Sequence, residues 1–423
     1  MLFGRCKTMK TITKQTVSNI ANQYIDNDTY TFEDELELLF EDGLFSGGFN
    51  RLIFNYQSSS PIKVFVTYSL DGEETNEYFY FDANKTEFRG LITGYLQNKI
   101  GASLKKLTLV ACEKNQVKFT LSSVRAETLP LYDDVLCIEN RRFKIGTRLS
   151  WGGALYYYED KMSGVDELSN LINVHDVGRL IQQSFYGTRS NGEYVAGQFS
   201  GREWPYNPVQ AGDLYDNTSR LIDVEVGEEY IYTLSQPLDW ALENKLTAVY
   251  YENKYILNDD HVLVENAATD YSGWIHPNGS QEVPAVYLVS YFDTLCFYNG
   301  DKPWSEDKDG LNYVGDLGGW GQKTGSYRFI PENSETWVSW INTKDNFAFG
   351  VYCPNAHKLI AIRHRYNGTK NPSSDPATYV APSVGIAMQP YKRIVYSYIL
   401  SSGTPESVRD VFLKNKDFCI NKF

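Results

Sequence analysis

The 423-residue sequence has no pair of cysteines at metal-ligand or redox spacing. Cys6, Cys112, Cys137, Cys296, Cys353 and Cys419 stand far apart, which excludes a zinc knuckle and a C-x-x-C redox site and predicts buried thiols instead. No apolar run reaches the length of a membrane-spanning helix, and the basic N-terminus, M-L-F-G-R-C-K-T-M-K, is followed by polar residues instead of the apolar core of a leader. A cytoplasmic protein without membrane contact is expected. Positive charge is in deficit: 40 Lys and Arg against 53 Asp and Glu give a formal charge of −13, which argues against nucleic acid and anionic surfaces as partners. Also missing are G-x-S-x-G, H-E-x-x-H and G-x-x-x-x-G-K, so a hydrolase elbow, a zincin helix and a phosphate loop have no support. Asp307-Lys-Asp309-Gly310 opens like a calcium loop but lacks its closing glutamate. No metal and no cofactor is expected, and the chemistry left is that of carboxylates.

What the chain does have is rings. There are 32 Tyr, 22 Phe and 8 Trp against 4 Met, which favours pleated, half-buried surfaces and also supplies flat faces that can stack on a sugar. The length exceeds one ordinary core, so two domains are expected. In residues 1–36 one stretch, T-K-Q-T-V-S-N-I-A-N-Q-Y-I, puts Val17, Ile20, Ala21 and Tyr24 on a helical stripe and reads as a cap. Over 37–130, short alternating runs such as I-K-V-F-V-T-Y-S-L and Q-V-K-F-T-L-S-S-V alternate with turn signals such as L-D-G-E, predicting a β-sandwich of jelly-roll type. Longer strands over 143–423 predict a large antiparallel sandwich. A helix start at Ser163-Gly-Val-Asp166, followed by Leu168, Leu171 and Ile172, predicts a short helix or loop before His175. Trp304 and Trp320 read as rim residues and Trp337 and Trp340 as core, while His261, His357 and His364 read as surface imidazoles.

The order G-R-L-I-Q-Q-S-F-Y-G, then L-T-A-V-Y-Y-E-N-K-Y-I-L-N-D-D-H-V-L-V-E-N, then P-Y-K-R-I-V-Y-S-Y resembles the galactose-mutarotase-like β-supersandwich over roughly 143–400. That resemblance implies an all-β fold and sugar chemistry on the concave face of the large sheet, although a fold alone assigns no reaction. The late stretch V-G-I-A-M-Q-P-Y holds no carboxylate, which departs from a simple mutarotase.

Reactive side chains crowd into 173–213. His175, Asp176 and Arg179 offer an imidazole, an acid and a planar cation, and Gly178 makes a loop there plausible. The same residues can instead form an ion pair beneath a turn. Gln183, Trp204, Tyr206, Asn207 and Gln210 supply amides and rings for a polyhydroxylated ligand, the last four from a Pro-rich loop. A second half of the site is expected around Trp274, His276 and Glu282. Glu282 stands just before an apolar run, where desolvation raises a carboxyl pKa towards that of a general acid. These residues predict a glycoside hydrolase with Asp176 and Glu282 as its carboxylate pair, the others orienting a saccharide substrate. A lyase or epimerase, and a non-catalytic carbohydrate-binding protein, are the alternatives, and homo-oligomerisation is left open.

Overall fold

The computed structural model describes residues 7–12, 23–25, 27–45, 48–92, 103–189, 193–319, 327–328, 335–354, 356–418 and 421–422. The chain divides into two units, Met1–Asp133 with Tyr271–Gly273, and Asp134–Asp270 with Trp274–Phe423.

The first unit holds two sheets. One is ordered Lys7–Ile12, Glu35–Leu44, Ser103–Ala111, Ile62–Leu70, Glu73–Phe81, and the other Gln23–Ile25, Val117–Glu127, Arg51–Ser58, Glu87–Leu91, with Thr29–Phe32 also paired to Val117–Glu127. Alternation in the sequence becomes alternation in burial: Val64, Val66 and Tyr68 turn inward from Ile62–Leu70, as do Leu107 and Leu109 from Ser103–Ala111. The hairpin between Ile62–Leu70 and Glu73–Phe81 closes through Asp71 and Gly72, both at positive φ (51° and 88°), the geometry a two-residue turn needs to match strand twist. The expected N-terminal helix is not found where it can be seen. Tyr24 lies in strand Gln23–Ile25 against Val124, because a ring of this kind packs well on a pleated face; Val17, Ile20 and Ala21 lie outside the described residues.

The second unit is a pair of large sheets. The first runs Val135–Glu139, Phe143–Arg148, Ala154–Asp160, Ile181–Ser184, Gly279–Val289, Ala377–Ile386, Lys358–His364, Tyr327–Arg328. The second runs Arg220–Val226, Tyr230–Gln236, Val249–Leu257, Val262–Asp270, Ile394–Gly403, Phe347–Tyr352, Trp337–Asn342, Thr294–Tyr298, Leu311–Val314. Their facing sides share one core, with Phe143, Ile181 and Val286 from one sheet and Tyr251, Val264 and Tyr396 from the other. The protein is all-β, built of sandwiches that are antiparallel apart from the parallel pair Lys7–Ile12 and Glu35–Leu44.

Each large sheet has a second face. On the second sheet it is covered by the helix Pro405–Asn415, which drops Val408 and Phe412 onto Trp337, Ile341 and Tyr352. Thr404 caps that helix by accepting from the Ser407 amide, and Pro405 sits where its missing N–H costs nothing. Trp337 and Trp340, one residue short of same-face spacing, enter opposite layers: Trp340 the main core, Trp337 the helix-covered cluster. On the first sheet the outer face carries Ala285, Ile362, Tyr379 and Ala381, with Tyr287 and Ile360 half-buried beside them. This is the face that bears the site.

Of the short helix or loop expected over 163–172, the chain takes the loop. Leu168, Leu171 and Ile172 are buried as expected of an apolar triplet, but Ile172 bridges to Leu288 and the Leu171 amide donates to Tyr158, so sheet contacts claim the backbone that a helix would need. Cys296 and Cys353 are buried free thiols, Cys112 and Cys137 are half-buried free thiols, and Cys6, Cys419 and Trp320 lie outside the described residues. His261 is not on the surface: it is buried against Asp260, 2.6 Å from its carboxylate. No helix among the described residues is long and apolar enough to cross a membrane.

Candidate functional site

Strand Gly279–Val289 pairs with Ala377–Ile386, and between Glu282 and Val286 the register shifts by one residue. Uninterrupted, positions 282 and 287 would point to opposite faces. The one-residue bulge restores them to the same face, so Glu282 joins Tyr287 and Tyr379 on the outer side of the sheet.

Three groups define the chemistry of Glu282. Tyr186 donates its hydroxyl to the carboxylate at 3.1 Å, Tyr379 makes a second hydroxyl bond to it, and Lys358 lies within electrostatic range. Burial pushes the Glu282 carboxyl up to about 7, further than the two tyrosines and the lysine pull it down. The side chain is surrounded by protein yet keeps part of its surface open to solvent, as do Tyr186 and Tyr287. Tyr287 and Tyr379 pack ring on ring, centroids 4.5 Å apart, as a floor.

The Asn173–Arg179 turn reaches the same floor. The Arg179 guanidinium lies 5.4 Å from the Tyr287 ring centre, and the Tyr287 hydroxyl feels the charges of Glu282, Arg179 and Asp176 together. Asp176 accepts from the Gly178 amide at 2.9 Å and pairs with Arg179 Nε at 3.3 Å, so the turn is built on its carboxylate. Arg179 also donates to Asp375, at 3.0 Å to its carbonyl and 3.1 Å to its carboxylate. Asp375 in turn stands 2.5 Å from Arg365, 3.4 Å from His364 and 4.0 Å from His175. Burial alone would raise the Asp375 pKa, but the Arg365 bond and the charges of His364, Arg365 and Arg179 together hold it below the usual carboxylate range. Burial, followed by the Arg179 charge, pushes the His364 pKa below its ordinary value. His364, expected as a plain surface imidazole, is therefore part of this cluster.

Rings close the other side. Tyr186 meets Trp204 edge-on at 6.1 Å, Trp204 meets Phe199 at 4.9 Å and Phe199 meets Trp240 at 5.8 Å. Trp240 reaches Gly178: a Cβ there would lie 2.5 Å from the indole Cη2. Contacts thus run in a closed circuit from Glu282 through Tyr186, Trp204, Phe199, Trp240, Gly178, Arg179 and Tyr287 to Tyr379 and back. Gly178→Ala is expected to force Trp240 or the Asp176 turn aside, lowering stability by about 1–3 kcal/mol, which thermal unfolding would register as a lower Tm.

Five expected ligand contacts are corrected by burial. Gln183 is fully buried and donates to the Glu252 carbonyl and Asn253 Oδ1; Gln210 is fully buried and donates to the Gly152 carbonyl. Asn207 donates to Ser184 Oγ and the Phe185 carbonyl while accepting from Trp204 Nε1. His276 is sealed between the Thr188 amide (3.0 Å) and Asp270 Oδ2 (2.7 Å), and Tyr206 stacks on it at 5.2 Å. Apart from the Tyr206 hydroxyl and Gln183 Oε1, which make no hydrogen bond among the described residues, the polar groups of these side chains bond backbone and neighbouring polar groups in the interior and position the loops around the site instead of touching a ligand. Trp274 is half-buried against Tyr194 and Tyr206, with its Nε1 donating to Glu193, away from Glu282. His175 is exposed at the rim, its Nδ1 3.0 Å from the Ser373 carbonyl.

Sequence reasoning did not single out Tyr287, Tyr379, Trp240, Phe199, Lys358 or Asp375. Tyr287 sits in P-A-V-Y-L-V and Tyr379 in A-T-Y-V-A, where an outward ring looks like one more core residue. The one available signal was the alternation within those strands. In the Asp307 loop, Asp307 accepts from the Tyr298 hydroxyl at 2.8 Å. A cavity of about 290 Å³ on the second sheet is lined by Tyr232, Lys254, Glu265 and Ser397 and by Glu252 and Arg393, which pair with each other at 2.9 and 3.1 Å.

No protein-family model matches the chain, and no curated protein matches it. Solved structures similar to it include a galactose mutarotase-like protein from Lactobacillus casei, with 12% identity and a TM-score of 0.39 over 64% of this chain and 100% of that one. A galactose mutarotase related enzyme from Lactobacillus acidophilus gives 14% identity and a TM-score of 0.40 over 64% of this chain and 97% of that one. An alpha-mannosidase from Enterococcus faecalis gives 12% identity and a TM-score of 0.37 over 94% of this chain but only 44% of that one. The resemblance to galactose-mutarotase-like proteins read from the sequence is thus also met among solved structures. At these identities and TM-scores the activities of those proteins do not pass to this chain.

Proposed function

We propose that the second unit is a carbohydrate-active enzyme whose general acid is Glu282, and that its reaction is cleavage of a glycosidic bond. The observation that carries this reading is a single carboxyl, raised to about 7, partly reachable by solvent and held by Tyr186 and Tyr379 on a floor of rings. A carboxyl that keeps its proton near neutral pH can deliver it to a leaving oxygen. Asp176, paired with Arg179, is the candidate second carboxylate.

A second reading, epimerisation or lyase-type proton transfer, is favoured by one fact: Asp176 already uses one oxygen in its own turn and the other on Arg179. Asp176→Asn separates the two. Hydrolysis through a carboxylate pair predicts a loss of about a thousandfold or more in kcat, whereas a positioning role predicts a modest loss matched by that of an Arg179 variant. Assay on a glycan panel reads the products as well: new reducing ends support cleavage, and an unsaturated sugar that absorbs in the ultraviolet supports the lyase. Turnover by the protonated acid also fixes the pH profile. Above about 7 the rate is expected to fall about tenfold per pH unit. A rate that is flat through pH 9 contradicts Glu282 as the acid.

A further inference from the structure

We propose that Trp204, Phe199 and Trp240 form a second sugar subsite, so that the substrate class is a saccharide of two or more units instead of a free monosaccharide. This rests on the reading of Glu282 as the acid, since it fixes which end of the ring wall faces the chemistry.

Phe199 and Trp204 ride on a short hairpin, Gly197–Phe199 against Arg202–Trp204, that turns through Ser200 and Gly201 at φ 51° and 72°. Most of this hairpin is in solvent: Gln198, Ser200, Gly201, Arg202 and Glu203 are all exposed. Its two rings alone turn back, Trp204 to Tyr186 and Phe199 to Trp240. The hairpin is fixed beside Trp240 because Gly197 lies so close to the Ala241 carbonyl, 2.2 Å from where a Cβ would stand, that no side chain fits between them. Phe199, Trp204 and Trp240 all remain half-buried, with ring surface left over after packing on one another.

The wall has a direction. It begins at Tyr186, which bonds Glu282, and ends at Trp240 beside Gly178, three ring-to-ring steps of 6.1, 4.9 and 5.8 Å away. A sugar ring held over Glu282 would meet Tyr186, the first ring of the wall, and leave the three rings beyond it for a second unit. The unit attached to it would lie along the wall, where aromatic faces recognise the C–H side of a pyranose.

The test compares kcat/KM for a ladder of one, two and three units, run with gluco- and galacto-oligosaccharides on wild type, Phe199→Ala and Trp240→Ala. Wild type is expected to prefer the dimer over the monomer by about tenfold or more, and each substitution to reduce that ratio about tenfold through KM. Trp240→Phe keeps a ring and should restore most of the preference even where Trp240→Ala lowers the yield of folded protein. A wild-type ratio near one, or variants that lose monomer and dimer turnover equally, overturns the subsite. Failure of the Glu282 reading is separately visible: Glu282→Gln would then retain turnover, while the length ratio could still be measured. Absence of both turnover and calorimetric binding for every ladder member overturns both.

Discussion

Glu282→Gln is expected to reduce turnover by about a thousandfold or more while raising stability at alkaline pH. Both effects come from the same carboxyl. Its amide replacement keeps the size and can still bond Tyr186 and Tyr379, but has no proton to give. The stability effect follows from linkage. Glu282 has a folded pKa of about 7, raised above its unfolded value, so the folded state binds its proton more tightly than the unfolded chain does. That contribution is fully present below the unfolded pKa and is lost as pH rises through about 7. The neutral glutamine carries no such loss. At pH 8 the variant should therefore be more stable than wild type by about 1–3 kcal/mol, and the gap should vanish near pH 4. Thermal unfolding at both pH values, alongside the assay, checks this; a variant that is inactive because it is unfolded would show the opposite sign.

Glu335→Ala is expected to destabilise the second unit by about 3–5 kcal/mol. Glu335 is buried and accepts from Arg409 at 2.9 and 2.6 Å, from the Trp304 amide at 2.6 Å and from the Trp337 indole at 2.5 Å. Removing it strands the buried Arg409 guanidinium, which leans on the Ser305 carbonyl at 2.8 Å and on the Asp307 carbonyl for its remaining bonds. The helix Pro405–Asn415 carries Arg409, so its packing on Trp337 depends on this pair. Denaturant unfolding measures the loss. Glu335→Gln, which preserves some of the acceptor geometry, should lose less than Glu335→Ala; equal losses would mean that volume, not charge pairing, sets the cost.

The architecture was largely legible because period-two alternation survives into the structure, as in Ile62–Leu70 and Val117–Glu127. Helical spacing of apolar residues was the weaker signal: of the short helix or loop expected before His175 the loop is found, and most of the N-terminal helical stretch lies outside the described residues. A few apolar residues at helical spacing, such as Leu168, Leu171 and Ile172, are equally well buried by irregular chain that hydrogen-bonds to neighbouring strands. The helix Pro405–Asn415 was not anticipated, although its signals were in place, Thr404 as cap and Pro405 at the first turn.

Of the residues expected at the candidate site, the charged groups and Trp204 come together, whereas the amides turn into the interior. The Asp176–Arg179 turn and Glu282, about a hundred positions apart in sequence, both reach Tyr287. Gln183, Asn207 and Gln210 looked like sugar ligands by residue type, but residue type does not say which way a side chain points, and their amides are consumed by backbone in the interior. The side on which Glu282 falls depends on a one-residue bulge that alternation alone does not announce.

The most direct test of Glu282 as the acid is an NMR titration of the side-chain carboxyl carbons, with Glu282→Gln identifying its resonance. A midpoint near 7 is the predicted result. A midpoint at the ordinary glutamate value of about 4.3 would leave Glu282 ionised and without a proton to deliver at neutral pH, and would contradict its assignment as the acid.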